Sequence, residues 1–200
     1  MAAERIAVVD YGAGNLRSVA KALEAAGAGD VRIAATAADI AAADRIVLPG
    51  VGAFAQCIGA LHASGLVDAL ETSVQRDAKP FLGICVGMQL LATTGHEHGE
   101  HAGLDWIAGD VTRLDPGASA LKVPHMGWND VVGSDGTTGS AYFVHSYRFV
   151  PRDPATVRAT TDYGQTIAAI VRAGSITGVQ FHPEKSQAYG LAFLRNWLTA

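Results

Sequence analysis

The stretch Pro80-Phe-Leu-Gly-Ile-Cys-Val-Gly-Met-Gln-Leu-Leu91 runs from a short apolar segment into a helical pattern through a Gly-x-Cys-x-Gly sequence. We predict a buried strand at Pro80–Ile84 and a helix that opens at Val86–Thr93. Only small residues fit beside a tight strand-to-helix turn, so the two glycines indicate that the turn lifts Cys85 above the sheet. The stretch therefore predicts an α/β fold with a cysteine presented at the end of a strand.

The chain before this turn alternates apolar segments with helical patterns. Three strands are predicted there, at Arg5–Tyr11, Val31–Ala34 and Arg45–Leu48. Two helical stretches are predicted, at Asn15–Gly27 and Phe54–Leu70, with a break in the second near Ser64-Gly65. Strands that alternate with helices indicate a parallel sheet wrapped on both faces.

The pattern changes after about Gly99, where segments become short, rich in β-formers and separated by Gly, Pro and Asp. Five such segments occur, at Trp106–Leu114, Val123–Val132, Ala141–Val150, Val157–Thr161 and Thr166–Arg172. They indicate antiparallel strands added to the parallel core. A strand at Ile176–Phe181 and a helix at Ala188–Leu198 are predicted to close the fold. Since no repeat or linker interrupts the pattern, we expect one domain over residues 1–200.

Composition excludes several classes of function. Hydrophobic residues make up 49% of the 200 residues and charged residues 17%, which is incompatible with wholesale disorder. The net charge of −4 carries no electrostatic footprint for nucleic acid. We expect no signal peptide, because the opening residues have no long apolar h-region. No apolar run approaches about 18 residues, so no membrane contact is expected either. The only cysteines are Cys57 and Cys85, a usage that fits a reducing cytoplasm.

A histidine and a carboxylate near the carboxyl end complete a candidate catalytic triad with Cys85. His182 follows an apolar strand pattern and stands two residues before Glu184. Residues two apart in an extended segment point to the same side, so Glu184 can accept a hydrogen bond from one ring nitrogen while the other faces the thiol. Nucleophile, base and orienting acid in this arrangement are typical of covalent acyl transfer. Cys57 has no such context and is predicted to be a buried core residue.

With these residues the sequence resembles the triad (class I) glutamine amidotransferases, and among them the family of glutaminase subunits of imidazole glycerol phosphate synthase. The segments that carry the resemblance are Asp10-Tyr-Gly-Ala-Gly-Asn-Leu-Arg-Ser-Val19, Pro49-Gly-Val-Gly-Ala-Phe54, Lys122-Val-Pro-His-Met-Gly-Trp-Asn129, Tyr142-Phe-Val-His-Ser-Tyr147 and Gly178-Val-Gln-Phe-His-Pro-Glu-Lys-Ser-Gln187. The resemblance implies a flavodoxin-like class I fold with a mixed, mostly parallel sheet flanked by helices. It also implies hydrolysis of L-glutamine to glutamate and ammonia through a cysteine thioester, without a cofactor.

The resemblance further implies a role for individual residues. The oxyanion would be held by backbone amides of Val86 and of Val51 or Gly52. Glutamine would be bound by Gln89, Glu97, His145, Ser146 and Tyr147. A (β/α)₈-barrel cyclase subunit would form a heterodimer through Asn15, Arg17, Lys122, Pro124, Met126 and Trp128. That cyclase would use the ammonia to make imidazole glycerol phosphate and AICAR in histidine biosynthesis.

Two further signals are weak. Gly12-Ala-Gly14 begins like a dinucleotide-binding fingerprint, but Arg17 stands where the third glycine belongs, so no dinucleotide cofactor is predicted. The polar segment His96–His101 contains three histidines and two glutamates, but its spacing matches no compact zinc motif. We predict no metal there and expect a solvated loop that contributes Glu97 to glutamine.

Two other functions stay open at this point. The glutaminase of pyridoxal 5′-phosphate synthase shares the triad and docks on a barrel, but that family carries a Gly-Gly-Glu-Ser-Thr type of loop where this chain has Pro49–Phe54. A non-catalytic pseudo-glutaminase partner is disfavoured by the intact triad. If the chain is a synthase subunit, its activity should depend on the partner's ligand, and Pro49–Gly52 is the candidate switch because glycine permits a peptide rotation.

Overall fold

A nine-stranded mixed sheet lies at the centre of the computed structural model, which describes residues 4–117 and 121–200. The strands in these ranges are β1 (Arg5–Val9), β2 (Asp30–Ala34), β3 (Arg45–Gly50), β4 (Phe81–Cys85), β5 (Thr94–Gly95), β6 (His101–Ala102), β7 (Gly109–Arg113), β8 (His125–Gly133), β9 (Thr138–His145), β10 (Tyr147–Pro151), β11 (Val157–Asp162), β12 (Thr166–Ala173) and β13 (Ile176–Val179). The α-helices in these ranges are α1 (Leu16–Ala25), α2 (Ala37–Ala41), α3 (Phe54–Ala63), α4 (Val67–Glu71), α5 (Val86–Gln89) and α6 (Gln187–Thr199). A π-helical turn at Thr72–Arg76 follows α4.

The central sheet is parallel in one half and antiparallel in the other. Its order is β2-β1-β3-β4-β13-β12-β11-β8-β9. The first five strands pair in parallel, and each later pair is antiparallel. The residues of β3 and β4 are buried throughout, as expected for parallel strands covered on both faces. The predicted α/β fold, with antiparallel strands extending a parallel core, is confirmed.

The prediction of one strand over Ala141–Val150 is wrong. Strand β9 ends at His145 in the central sheet, whereas β10 begins at Tyr147 and joins a second sheet of order β10-β7-β5-β6. The chain changes sheets at Ser146. After this residue, Phe149 of β10 pairs with Val111 of β7 in the second sheet. The apolar alternation continues through this change, so the sequence carries no signal of it.

The helix predicted to open at Val86–Thr93 is shorter than expected and ends at Gln89. The carbonyl oxygens that would continue it are taken by a later loop: the amide of Leu104 donates to Leu90, and that of Trp106 donates to Leu91. The sequence reading also omitted helix α2, although Thr36 and Asp39 form a capping box at its start. The predicted break between α3 and α4 is confirmed.

The register brings three chain segments together at the carboxyl ends of the neighbouring strands β3, β4 and β13. Gly50 of β3 pairs with Cys85 of β4, and Val179 of β13 pairs with Ile84. The loops that leave these strands therefore lie side by side, and they carry the segment after Gly50, the turn at Cys85 and the segment up to Glu184. Among the described residues, no helix is both long enough and apolar enough to cross a bilayer.

Candidate active site

Cys85 occupies a strained turn between β4 and α5. Its φ of 55° and ψ of −111° lie in a region that residues with a side chain rarely adopt, at a cost on the order of 1–3 kcal/mol. A Cβ atom at Gly87 would collide with the carbonyl oxygen of Leu48, and one at Gly83 would collide with the backbone of Gly87. The flanking glycines are therefore required by close backbone approach, and the turn aims the sulfur of Cys85 at the end of the sheet.

His182 and Glu184 form a buried pair. Nδ1 of His182 lies 2.8 Å from Oε1 of Glu184, and their side chains are only 3% and 2% exposed. The extended backbone that we predicted between them is wrong, because Pro183–Lys185 form one turn of 3-10 helix. The two side chains still meet, since His182 itself is extended (φ −98°, ψ 98°) and the turn folds Glu184 back beneath its ring.

Ser186 holds this turn against strand β9. Its hydroxyl donates to the carbonyl oxygen of His182 over 2.7 Å and accepts from the amide of Tyr142 over 2.9 Å. The amide of His182 donates to the carbonyl of Tyr142 over 2.9 Å. Sequence reasoning missed Ser186, because its partner on β9 is 44 residues away along the chain. The three hydrogen bonds fix the backbone that carries the imidazole.

The electrostatics of the site favour a charged imidazole. Burial alone lowers the pKa of His182, but hydrogen bonding and charge interactions with Cys85 and Glu184 outweigh it and raise the pKa to about 10. Nε2 of the same ring is buried and has no aligned hydrogen-bond partner among the described residues. His182 can therefore keep a proton on Nε2 near pH 7, beside the sulfur of Cys85, where it can be donated to a leaving group.

A network of two glutamines surrounds the sulfur. Nε2 of Gln180 lies 3.8 Å from the sulfur of Cys85. Nε2 of Gln89 donates both to Oε1 of Gln180 over 3.0 Å and to the carbonyl oxygen of Tyr147 over 2.9 Å. Gln180 was missed by sequence reasoning, although its position two residues before His182 on a strand-like segment was an available signal.

A cavity of about 310 Å³ opens in front of Cys85. It brings together most of the residues predicted for catalysis and substrate binding, namely Val51, Gly52, Cys85, Val86, Gln89, Glu97, His145, Ser146, Tyr147 and His182. Its wall also contains three residues that sequence reasoning did not place there, Pro124, Val144 and Lys185. Pro124 was predicted for the partner surface, so the cavity mouth adjoins that surface.

Two buried side chains donate hydrogen bonds to the backbone at the end of β3 and just after it. The hydroxyl of Tyr11 donates to the carbonyl oxygen of Pro49 over 2.9 Å. The thiol of Cys57 donates to the carbonyl oxygen of Val51 over 3.3 Å. Cys57 is 1% exposed, as predicted for a core residue, but its hydrogen bond gives it a second role. Gly52 has a φ of +100°, which only glycine adopts without strain.

Glu97 is partly committed to the backbone. Its Oε2 accepts from the amide of Phe54 over 2.7 Å, which caps the start of α3. The neighbouring His96 instead turns to Asp110 at 3.1 Å. The described residues contain no group of three or more His, Cys, Asp and Glu side chains placed to hold a metal ion.

The six residues predicted for the partner surface are all exposed: Asn15, Arg17, Lys122, Pro124, Met126 and Trp128. Met126 and Trp128 are 61% and 50% exposed on β8, an unusual extent for large apolar side chains. Because apolar residues of this size are enriched in interfaces, their exposure favours a protein partner on this face.

Comparison with known proteins places these features in a family. The sequence profile of the family "Glutamine amidotransferase class-I" matches residues 7–200. A protein of Zymomonas mobilis named "Imidazole glycerol phosphate synthase subunit HisH" is 54% identical over 98% of this chain and 96% of its own length. A protein of the same name from Ruegeria pomeroyi is 50% identical over 96% of this chain and 97% of its own length.

Solved structures share the fold at lower identity. A "Crystal structure of glutamine amidotransferase" superposes with a TM-score of 0.77 and 17% identity, covering 97% of this chain and 99% of the other. The "Structure of PurLQS from Thermotoga maritima" superposes with a TM-score of 0.70 and 18% identity, covering 98% of this chain and all of the other. At these identities the superpositions establish the architecture alone.

Proposed function

The chain belongs to the class-I glutamine amidotransferase family, and on this basis we propose that it is the glutaminase subunit of an imidazole glycerol phosphate synthase. It hydrolyses the side-chain amide of L-glutamine to glutamate and ammonia. The two relatives at 54% and 50% identity, which carry the name of this subunit, support the assignment. The observation that carries the proposed chemistry is the strained turn of Cys85 beside the buried His182–Glu184 pair.

The reaction proceeds through a covalent thioester. The thiolate of Cys85 adds to the amide carbon of glutamine, a C–S bond forms, and the carbonyl electron pair moves onto oxygen. His182 donates its Nε2 proton to the amide nitrogen, the C–N bond breaks, and ammonia leaves. His182 then takes a proton from water, whose oxygen attacks the thioester. The C–S bond breaks, glutamate leaves, and the thiolate–imidazolium pair is restored.

Glu184 orients and charges the imidazole. Its carboxylate accepts from Nδ1 of His182 over 2.8 Å, which leaves Nε2 as the nitrogen that faces the sulfur. Because the pair is almost fully buried, solvent screens it little. Glu184 thus selects the productive ring orientation and favours the imidazolium that protonates the leaving nitrogen.

Backbone amides hold the oxyanion in this mechanism. The donors are the N–H of Val86 and that of Val51 or Gly52, since all three residues line the cavity around Cys85. The pairing of Gly50 with Cys85 supports this choice, because it brings the segment after β3 alongside the nucleophile. Removal of one such donor typically costs about 10²–10³ in kcat.

Glutamine is bound by the cavity wall. Both hydrogens of Nε2 in Gln89 are used internally, so its Oε1 is an acceptor for an N–H group of the substrate. The carboxylate of Glu97 offers a second acceptor for the ammonium group, since it lines the same cavity. His145, Ser146 and Tyr147 complete the wall.

The ammonia is delivered to a cyclase subunit, a (β/α)₈ barrel that forms a heterodimer with this chain in the cytoplasm. The exposed Met126 and Trp128 support a docking surface on β8, and Pro124 connects that surface to the cavity mouth. Hydrolysis without a partner would waste glutamine, so the cyclase ligand controls the rate. Rotation of a peptide in Pro49–Gly52 between two states, one of which completes the oxyanion hole, is the control step.

The test is to purify the chain with the cyclase subunit of the same organism and to measure glutamate release with and without the cyclase's nucleotide substrate. We expect a stable heterodimer whose glutamate release rises when that substrate is added. A matched complex that carries Cys85→Ala should form equally well but release no glutamate. Absence of glutamate release from the wild-type complex would overturn the proposed function, and equal rates with and without the substrate would overturn the coupling.

A further inference from the structure

Two buried histidines connect strand β8 with the wall of the cavity. His125 of β8 and His145 of β9 lie directly opposite each other in the antiparallel register. Nδ1 of His125 is 2.9 Å from Nε2 of His145, and Nδ1 of His145 is 2.9 Å from the carbonyl oxygen of Tyr147. Nε2 of His125 is 3.1 Å from the side-chain nitrogen of Asn129. All four ring nitrogens are therefore engaged in one chain of hydrogen bonds.

The hydrogen bonds through His125 and His145 all run in one direction from donor to acceptor. The carbonyl oxygen of Tyr147 can only accept, so Nδ1 of His145 donates and its Nε2, in a neutral ring, must accept. Nδ1 of His125 is then the donor, and Nε2 of His125 accepts from Asn129. The second hydrogen on the Asn129 nitrogen goes to the carbonyl oxygen of Asp162 over 2.8 Å. Both histidines are thus locked as neutral rings that carry their proton on Nδ1.

Burial keeps both rings neutral. It lowers the pKa of His125 to about 4 and that of His145 to about 3. His125 is also held mechanically, because its ring stacks between Phe143 at 4.7 Å and Tyr163 at 4.1 Å between centroids. Near pH 7 both rings are therefore neutral and keep this hydrogen-bond direction.

One end of this hydrogen-bond chain lies close to Cys85. The carbonyl oxygen of Tyr147 accepts a second hydrogen bond, from Nε2 of Gln89. The same nitrogen donates to Gln180, whose own amide contacts the sulfur of Cys85. The Tyr147 carbonyl is therefore one of the two acceptors that orient the amide of Gln89, which lines the cavity.

The other end of the hydrogen-bond chain, at His125, lies beneath the exposed face of β8. His125 directly precedes Met126, and the next residue but one is Trp128, both of them well exposed. Tyr163, which covers the ring of His125, donates from its hydroxyl to the carbonyl oxygen of Lys122 over 2.8 Å. The exposed side chains of Met126 and Trp128 are thus carried by the same strand as His125.

We propose that His125 and His145 are positioning residues that hold the Tyr147 carbonyl, and through it the amide of Gln89, in the orientation that binds glutamine. The inference rests on the proposed function, because it takes glutamine as the ligand. His125 does not line the cavity, so it acts through His145 and not on the substrate. The same hydrogen-bond chain couples β8, the strand that faces the partner, to the glutamine pocket.

The test uses His125 variants in complex with the cyclase subunit and its nucleotide substrate. His125→Phe keeps the stacked ring but removes both ring nitrogens. We expect it to raise the KM for glutamine about five- to tenfold, the loss of roughly one oriented hydrogen bond, while kcat stays within about twofold. His125→Asn places an amide nitrogen near the position of Nδ1 and should bring KM back to within about twofold of the wild type. A KM that is unchanged in His125→Phe overturns the proposal.

A second measurement is independent of activity and of the folding of variants. Long-range ¹H–¹⁵N correlation spectra of histidine-labelled wild-type protein near pH 7 report which ring nitrogen carries the proton. We expect Nδ1–H for both His125 and His145. An Nε2–H form of either ring overturns the proposed hydrogen-bond chain. If the wild-type complex releases no glutamate, the proposed function fails, whereas these spectra still decide the hydrogen-bond chain.

Discussion

The thiol of Cys57 donates a hydrogen bond to the carbonyl oxygen of Val51 over 3.3 Å, and Val51 borders the cavity in front of Cys85. Because a peptide group is planar, this bond fixes the plane of the peptide between Val51 and Gly52 and hence the direction of the Gly52 N–H. Tyr11 holds the carbonyl of Pro49 in the same way over 2.9 Å. Two buried side chains thus control the segment that would supply the second oxyanion donor.

We expect Cys57→Ala to raise glutamate release in the absence of the cyclase's substrate by about two- to fivefold, because loss of a weak S–H···O bond makes rotation of the peptide easier. The stimulated rate should change little, so the ratio of stimulated to basal rate should fall. Cys57→Ser keeps a donor and is the matched control. An unchanged basal rate in Cys57→Ala would show that this bond does not restrain the segment.

Cys85→Ala should abolish glutamine-dependent synthesis by the complex, with a loss of at least about 10³-fold, because no other group can form the thioester. Synthesis from added ammonium salt should remain, since the cyclase does not use the sulfur. The two rates are measured side by side, with Cys57→Ala as the control for removal of a buried thiol. Retained glutamine-dependent synthesis would favour the pseudo-glutaminase hypothesis.

Glu184→Gln removes the charge that helps to raise the pKa of His182 to about 10. Activity that needs the imidazolium is lost as the pH rises through the pKa of His182, so this alkaline limb should move to lower pH in the variant. We also expect kcat to fall by about 10²–10⁴, as for other orienting carboxylates. The measurement is kcat/KM against pH, with Glu4→Gln, whose carboxylate pairs with Arg45, as the control. An alkaline limb at the wild-type pH would contradict the role of Glu184.

The lowered pKa values of His125 and His145 predict acid lability. An unfolded histidine titrates near pH 6.5, whereas the folded values are about 4 and about 3. Between these values the unfolded chain binds more protons, so the free energy of unfolding falls as the pH drops from about 6.5 toward 4. His182 has the opposite shift, and its contribution changes only above about pH 6.5.

His125→Phe removes one of the two buried histidines and should flatten this dependence by up to about 1.4 kcal/mol per pH unit. Urea unfolding of the wild type and the variant at several pH values from 4.5 to 6.5 gives the two slopes. Comparison of the slopes cancels the contributions of carboxylates that both proteins share. Parallel curves would mean that His125 is not held neutral by its surroundings.

Trp128→Ala should weaken binding of the cyclase subunit about 10- to 100-fold, since large aromatic side chains dominate interface energies. The midpoint of urea unfolding should stay the same, because the side chain is 50% exposed in the free chain. Ile33→Ala is the matched control, as Ile33 is 43% exposed on β2 at the opposite edge of the sheet from β9. Equal affinities of the two variants would place the interface elsewhere.

The sequence predicted the parts of this protein that depend on near neighbours. The alternation of apolar strands and helical patterns predicted the parallel half of the sheet, and Gly-x-Cys-x-Gly predicted the turn at Cys85. The structure explains the second success physically: the glycines are required because a Cβ at Gly87 would meet the carbonyl of Leu48. The change of sheet at Ser146 escaped prediction, because the apolar alternation is the same on both sides of it.

The sequence by itself determined the α/β class, the strained turn and the residue types from which a glutaminase site can be built. Tertiary structure alone decided which of those side chains meet and in which direction their hydrogen bonds run. Gln180 reaches Cys85 across 95 residues of chain, and Gln89 reaches Gln180 across 91. The direction of the His125–His145 chain follows from the Tyr147 carbonyl, which lies on a different sheet from His145. Local patterns report neighbours within a few residues, whereas the contacts of Gln180, Gln89 and His125 form only after segments distant in sequence have come together.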